Sequence, residues 1–248
     1  MTDSKKRILE YLIFALILLL ATVLSCYRIA EPAWDDTHGK APLDGFHGSI
    51  LAEYGRIAQN YLKFGYLRTR LGQTTNYGWV EPSESFRYRV DHPPLIPLSL
   101  SVSFRLFGIH EWSARLVPVL SSVAMLALVF VLARRLARGR TALLASFLLS
   151  LAPLYVYYSR LPAQHILATS FSLLTFFFYY CWTETGKGGH YFGMYVSFVF
   201  GALSDWTAYF VVPPILLHYI AYEYRKTRDF KFVLSFAILP FILFGAHL

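Results

Sequence analysis

The chain has 248 residues, of which 56% are hydrophobic and 18% aromatic, and it carries a formal charge of +8. Its mean hydropathy of +0.43 is too high for a soluble domain of this size, so the composition predicts a polytopic membrane protein in contact with a lipid bilayer. The positive charge does not indicate nucleic-acid binding, because the Lys and Arg residues fall largely at the ends of apolar runs, where membrane topology explains them. Neither Cys26 nor Cys181 has a spacing that suits a metal clip or a disulfide framework.

The first apolar run, residues 8–26, follows three basic residues at positions 5–7. It is about 19 residues long, which is long for the hydrophobic region of a signal peptide. Residues 25–27 do not form a small-x-small cleavage site, so the run predicts a retained span. Seven such runs predict an all-α polytopic membrane protein with about seven transmembrane helices, at 8–26, 114–133, 142–158, 166–182, 191–203, 208–222 and 232–248.

Basic residues in alternate connections orient these spans. They cluster at 5–7, 134–140, 187 and 225–231, and short basic loops lie in the cytoplasm. The N-terminus is therefore predicted to be cytoplasmic. We expect a single transmembrane domain over 1–248: the first span at 8–26, a long extracytoplasmic loop at 28–111 and six further spans within 112–248.

Two segments of the long loop predict helices in the outer interface. Residues 49–64 place apolar and polar side chains on opposite faces at the helical period, and Gly65 is a suitable stop. Residues 93–108 are apolar, but a span there would reverse the sidedness of every later basic loop. We interpret them as an interfacial helix that starts at two prolines. The residues between these helices are typical of a lid or binding loop.

Four short polar signatures share the outer side in this topology: Asp44 with His47, Asp91 with His92, Arg160 with His165, and Asp205 with Trp206. Ionisable residues at the ends of spans are costly to place, and they mark pathways or catalysis. Their convergence predicts an extracytoplasmic site.

The same stretches resemble a known superfamily. The run DGFHGSILAEYGRIAQNYLKFGYL resembles the first extracytoplasmic loop of polytopic glycosyltransferases that use polyprenyl-phosphate sugars, which include protein O-mannosyltransferases and lipid A aminoarabinose transferases. The run HPPLIPLSLSVSFRLFGIHEWSARL is similar to that superfamily's (K/E/H)-P-P-L helix and the start of its next span. The runs YYSRLPAQHILA and GALSDWTAYFVVPP resemble its later extracytoplasmic turns.

The chain also departs from that pattern. Many members carry an acidic pair at the start of the loop helix, where this sequence has Ile50 and Leu51. His92 stands where relatives can have Lys or Glu, and His165 occupies the place of an Asp in several branches. Members are usually longer than this chain, so we expect the domain to be incomplete at its C-terminus.

The resemblance implies an inverting transfer of a glycosyl unit from a polyprenyl-phosphate sugar donor to an extracytoplasmic glycan, lipid or protein acceptor. Such a transfer needs a carboxylate to take the acceptor's proton and cationic groups to hold the departing phosphate. Asp44 is the preferred base and Glu53 the alternative. The predicted substrate-binding residues are His47, Asp91, His92, Arg160, His165 and Asp205.

The sequence leaves the use of a divalent metal open. Asp44 and His47 are spaced so that they could share a cation, but the sequence contains no HExxH or CxxC pattern.

Two other functions remain as alternatives. A transporter would show midplane charges and an inverted repeat, which the sequence lacks. A truncated, noncatalytic protein that binds lipid-linked sugar is the alternative that the apolar C-terminus suggests.

Overall fold

The computed structural model describes residues 3–31, 46–76, 86–224 and 229–247. Within these residues the regular structure is helical apart from two short strands, β1 (Gln73–Thr74) and β2 (Tyr88–Arg89), which pair antiparallel. The α-helices are α1 (Asp3–Cys26), α2 (Phe46–Phe64), α3 (Leu95–Phe107), α4 (Glu111–Leu136), α5 (Gly139–Leu151), α6 (Pro153–Tyr158), α7 (Gln164–Thr185), α8 (Gly188–Ala202), α9 (Val212–His218) and α10 (Phe230–His247).

Three of the described helices are long and apolar enough to cross a membrane: α1, α4 and α7. At 1.5 Å per residue, the 22 residues of α7 extend over about 33 Å, which matches the hydrocarbon core of a bilayer. Three shorter apolar helices are α3, α5 and α10. The structure thus confirms an all-α, membrane-type architecture, while the count of seven spans stays a prediction.

Two of the predicted spans are interrupted helices. In the third, α5 ends at Leu151, Ala152 takes an extended conformation (φ −63°, ψ 126°) and α6 begins at Pro153. The proline ring disfavours helical geometry at the residue before it, so the break falls at Ala152. The sixth consists of a 3₁₀ helix (Trp206–Val211), then α9, then a π-helical turn (Tyr219–Glu223).

The two helices predicted in the long loop are present as α2 and α3, and they pack against each other. Tyr54 and Tyr61 of α2 are fully buried, in one apolar cluster with Ile96 and Leu100 of α3. Helix α2 ends at Phe64 because Gly65 adopts φ 88°, a left-handed conformation that glycine accepts without strain. The position of both helices in the membrane interface stays a prediction.

Ion pairs sort the ends of the long helices into two groups. Glu10 near the start of α1 lies 3.1 Å from Arg134 near the end of α4, and Arg135 lies 3.8 Å from Glu184 at the end of α7. The start of α1 and the ends of α4 and α7 therefore lie together, at what we call the basic end. The starts of α4 and α7 lie at the opposite end, which we call the site end.

Candidate functional site

Asp205 is a buried carboxylate at the site end, between α8 and the 3₁₀ helix, and only 3% of the residue is exposed. Its Oδ2 accepts hydrogen bonds from Nδ1 of His165 at 3.0 Å and from Oγ1 of Thr207 at 2.8 Å. Nδ1 of His92 lies 3.6 Å from Oδ1. Two of the predicted site residues, His92 and His165, thus converge on the buried carboxylate of a third.

The surroundings of Asp205 keep it charged. Burial is the largest single influence on the pKa of Asp205 and raises it, but the hydrogen bonds from His165 and Thr207 together lower the pKa below its ordinary value. A carboxylate can only accept, so His165 must donate through Nδ1. Its other ring nitrogen, Nε2, is then turned away from Asp205, on a side chain that is 45% exposed.

His92 is fixed through both its backbone and its ring. The residue lies directly before the two prolines that precede α3, which favours an extended backbone. Its carbonyl oxygen accepts a hydrogen bond from Nε2 of Gln73 on β1. Nε2 of Gln164 lies 3.4 Å from each of its ring nitrogens. Strand β1 and helix α7 together hold this imidazole beside Asp205.

Tyr54 extends the polar network into the packed face of α2. Its hydroxyl donates to Oε1 of Gln164 at 2.7 Å, and both side chains are buried. Burial raises the pKa of Tyr54 above its ordinary value, so the phenol stays protonated and keeps its proton for this hydrogen bond. The amide of Gln164 therefore connects α2 to the His92 ring.

Arg89 on β2 pairs with two of the predicted acidic site residues. Its Nε and Nη2 donate to the carboxylate of Asp91 at 2.5 and 2.8 Å, and its Nη1 contacts Oε1 of Glu53. The hydrogen bond raises the pKa of Arg89 and lowers that of Asp91. The guanidinium also lies 5.3 Å from the ring centre of Tyr54. Glu53 is therefore engaged in an ion pair with a fixed cation.

Two backbone hydrogen bonds hold these segments against α8 and the 3₁₀ helix. Nε1 of Trp206 donates to the carbonyl of Asp91 at 2.8 Å, and the backbone N–H of Leu95 donates to the carbonyl of Leu203 at 3.0 Å. Trp206 thus positions the segment before His92.

Arg160 has a different partner. Its Nη1 donates to the carbonyl of Tyr27 at 2.8 Å, and the buried Arg115 donates to the carbonyl of Ile29 at 2.7 Å. Both cations hold the segment that follows α1. Among the described residues no hydrogen bond or ion pair joins Arg160 to Asp205, so its role as a phosphate ligand stays a prediction.

Asp44 lies outside the described residues, and so does the side chain of His47, whose backbone is in the first turn of α2. In the part of the chain that the structure describes, no group of three or more His, Cys, Asp or Glu side chains is arranged to hold a metal ion. A site formed with Asp44 is not covered by that search, so the question of a metal remains as the sequence left it.

Sequence reasoning missed three polar contributors: Gln73, Arg89 and Gln164. Gln164 precedes His165 directly, and a glutamine at the start of an apolar helix was a usable signal. Gln73 and Arg89 lie in the long loop with no motif around them. They meet His92 and Glu53 only because β1 pairs with β2, which places Gln73 opposite Arg89.

A pocket of about 480 Å³ opens beside His92. Its lining includes Arg70, Gln73 and Arg89 as well as the apolar Leu203 and Leu243. The pocket thus offers both cationic and hydrogen-bonding groups and apolar side chains. Such a surface suits an amphipathic ligand with an anionic head.

These features define a multi-helix membrane protein with a buried carboxylate–histidine cluster at one end of its helices. The chain belongs to the dolichyl-phosphate-mannose-protein mannosyltransferase family, whose sequence profile matches residues 91–248. The resemblance inferred from the sequence is thereby confirmed. The matched segment contains Asp91, His92, Arg160, His165 and Asp205, and it begins after Asp44, His47 and Glu53.

An uncharacterized protein of Aquifex aeolicus (strain VF5) is 26% identical to the chain over 161 residues. The aligned segment covers 64% of this chain and 30% of the relative, so the similarity spans less than a third of that protein. No solved structure matches the chain.

Proposed function

We propose that the chain transfers a glycosyl unit from a polyprenyl-phosphate-linked sugar to an acceptor on the extracytoplasmic side of the membrane. The observation that carries this proposal is the buried Asp205 carboxylate, which orders His165 and His92 around one point at the site end. Membership of the mannosyltransferase family supports the class of donor. The pocket beside His92 has a size and polarity that suit a sugar phosphate with an apolar tail.

The proposed topology has seven spans, a cytoplasmic N-terminus and an extracytoplasmic site. Support comes from the basic end, where Glu10 pairs with Arg134 and brings the basic residues at 5–7 and 134–140 to one side. The cluster around Asp205 lies at the other end of the same helices. In this proposed orientation the site faces the side on which a lipid-linked donor would present its sugar.

In the proposed mechanism, His92 and His165 hold the donor phosphate. Asp205 lies beside both imidazoles, and its hydrogen bond to His165 raises the pKa of that ring, which favours its protonated, cationic form. When the bond between the sugar and the phosphate oxygen breaks, negative charge grows on that oxygen. Preorganised cationic donors stabilise this charge in a site that is shielded from water. Arg160 would be a further donor to the phosphate.

The acceptor's hydroxyl must lose its proton as its oxygen attacks the anomeric carbon. We assign this base role to Asp44, with Glu53 as the weaker candidate because Arg89 already pairs with Glu53. Attack from the side opposite the departing phosphate forms one bond as the other breaks, and it inverts the configuration. The segment 66–89, which includes both strands beside the pocket, would cover the site and limit hydrolysis of the donor.

The test is glycosyl transfer, or donor hydrolysis, by the purified chain in detergent with a panel of radiolabelled polyprenyl-phosphate sugars. Asp44→Asn should abolish turnover while donor binding persists, and Glu53→Gln should lower turnover less. Glu184→Gln at the basic end is the control and should behave like the wild type, because it lies at the opposite end of α7 from His165. Absence of both binding and turnover with every donor would exclude the proposed function.

A further inference from the structure

Gln73 has a side-chain oxygen whose hydrogen bonding is incomplete. The residue is only 2% exposed, and its Nε2 donates to the carbonyl of His92. A carbonyl can only accept, so this contact fixes which end of the amide faces His92. The other end, Oε1, is buried and has no hydrogen-bond partner among the described residues. A buried acceptor left in this state costs free energy, which a ligand that donates a hydrogen bond would recover.

The amide is also held rigidly in place. Nδ2 of Asn60 on α2 donates to the carbonyl of Thr74 at 2.8 Å, and the hydroxyl of Tyr61 donates to the carbonyl of Leu71 at 3.0 Å. Arg70 and Leu71 both adopt left-handed conformations, with φ of 52° and 57°. Such conformations are uncommon for residues with a side chain, and they persist only where the surroundings hold them. Helix α2 therefore holds the backbone on both sides of Gln73, and the contact with the His92 carbonyl holds its amide.

Gln73 lines the pocket beside His92, together with the cations Arg70 and Arg89 and the apolar Leu203 and Leu243. An ionised phosphate has no hydrogen to donate, so it cannot satisfy Oε1. An ammonium group would be repelled by the two guanidinium groups. A neutral hydroxyl is the donor that suits this position, and a sugar joined to a phosphate provides several.

We propose that Oε1 of Gln73 accepts a hydrogen bond from one hydroxyl of the donor's sugar, which makes Gln73 a specificity-determining residue of this pocket. The inference rests on the proposed function, since it requires a sugar phosphate as ligand. It adds that Gln73 on β1 makes the pocket bind a sugar that carries one particular hydroxyl more tightly than a sugar that lacks it. A site built to hydrogen-bond a hydroxyl rejects the analogue that lacks it, because the buried partner is then left unpaired.

The experiment measures binding to the whole chain in detergent by calorimetry. The probes are farnesyl phosphate, its mannosyl, glucosyl, galactosyl and aminoarabinosyl esters, and the monodeoxy analogues of the ester that binds most tightly. Each probe is titrated into the wild type, Gln73→Leu and Thr74→Val. Thr74→Val is the matched control: it also removes a buried oxygen without a described hydrogen-bond partner, from the adjacent residue of β1, and Thr74 does not line the pocket.

We expect one deoxy analogue to bind the wild type at least about tenfold more weakly than its parent, and Gln73→Leu to bind both equally. Thr74→Val should keep the wild-type discrimination. If Gln73→Leu weakens every probe by the same factor and keeps the discrimination, Gln73 only supports His92 and the inference is overturned. If the wild type binds the esters but loses no affinity for any deoxy analogue, the inference is also overturned. In both cases binding of the esters leaves the proposed function standing, whereas failure to bind farnesyl phosphate and all its esters overturns both.

Discussion

The Asp205 carboxylate and the His165 imidazole are joined by a hydrogen bond of 3.0 Å although 40 positions separate them in the chain. The same carboxylate lies 3.6 Å from a ring nitrogen of His92, which comes from a third segment. One buried anion therefore fixes the direction of the His165 ring and lies beside the His92 ring. The proposed phosphate site depends on this relationship more than on any single cationic residue.

Replacing Asp205 by Asn should lower turnover by about 100-fold, because the amide keeps the shape but removes the negative charge that accepts the His165 hydrogen bond and lies beside His92. Turnover and donor affinity of Asp205→Asn are measured against Asp229→Asn. Asp229 lies at the start of α10, where its Oδ1 accepts a hydrogen bond from the backbone N–H of Phe232, and asparagine can keep this cap. Equal turnover of the two variants would show that glycosyl transfer does not need the charge of Asp205.

Replacing Tyr54 by Phe should lower the free energy of unfolding by about 1–3 kcal/mol, because Oε1 of Gln164 loses its buried donor. The measurement is the thermal unfolding midpoint in detergent. Tyr222→Phe is the control, since the Tyr222 side chain is 66% exposed. An unchanged midpoint for Tyr54→Phe would show that water or another group replaces the hydroxyl.

The pair of Asp91 and Arg89 should stabilise the fold in a pH-dependent way. The hydrogen bond from Arg89 lowers the pKa of folded Asp91, so the contribution is fully present above the ordinary aspartate pKa of about 3.9 and is lost as the pH falls through the lower folded value. Asp91 is 55% exposed, so we expect about 1 kcal/mol or less. The wild type should unfold at a higher temperature than Asp91→Asn at pH 6, and the two midpoints should approach each other as the pH falls below about 3.9. A difference between the two midpoints that stays the same at every pH would show that the charge of Asp91 is not what stabilises the fold.

The turn after α2 should depend on glycine. Gly65 has φ 88° and no atom within 4 Å of an added Cβ, so Gly65→Ala introduces backbone strain alone, of about 1 kcal/mol. Gly189 in the first turn of α8 also has open space around it, but a φ outside the left-handed region. Gly189→Ala should leave the unfolding midpoint unchanged or raise it. If Gly65→Ala and Gly189→Ala lower the unfolding midpoint by a similar amount, the loss at Gly65 does not come from its positive φ.

Cysteine labelling should establish the topology. Leu67, which is 91% exposed, follows α2, and Arg138 lies in the exposed connection at the basic end. In a background without Cys26 and Cys181, a membrane-impermeant maleimide should label Leu67→Cys in intact cells and Arg138→Cys only after permeabilisation. The reverse pattern would invert the proposed orientation and move the site into the cytoplasm.

The amino-acid sequence by itself determined the class of the protein, the long helices and several residues of the cluster around Asp205. Hydropathy and the helical period are local properties, so they identified α2 and α3 and the glycine that ends α2. The polar residues at span ends pointed to His92, His165 and Asp205, because charge near the membrane is costly wherever it occurs. The motifs in order along the chain were sufficient to recognise the family.

Only the tertiary structure decided which polar groups meet. It joined His165 to Asp205, paired Glu53 with Arg89 and turned Arg160 toward Tyr27. It also placed Gln73 against His92, which no motif had suggested. Spacing along a chain does not specify distances between residues on different helices and strands, because these depend on how the elements pack. Hydrogen bonds between distant side chains form only once that packing has brought their donors and acceptors together.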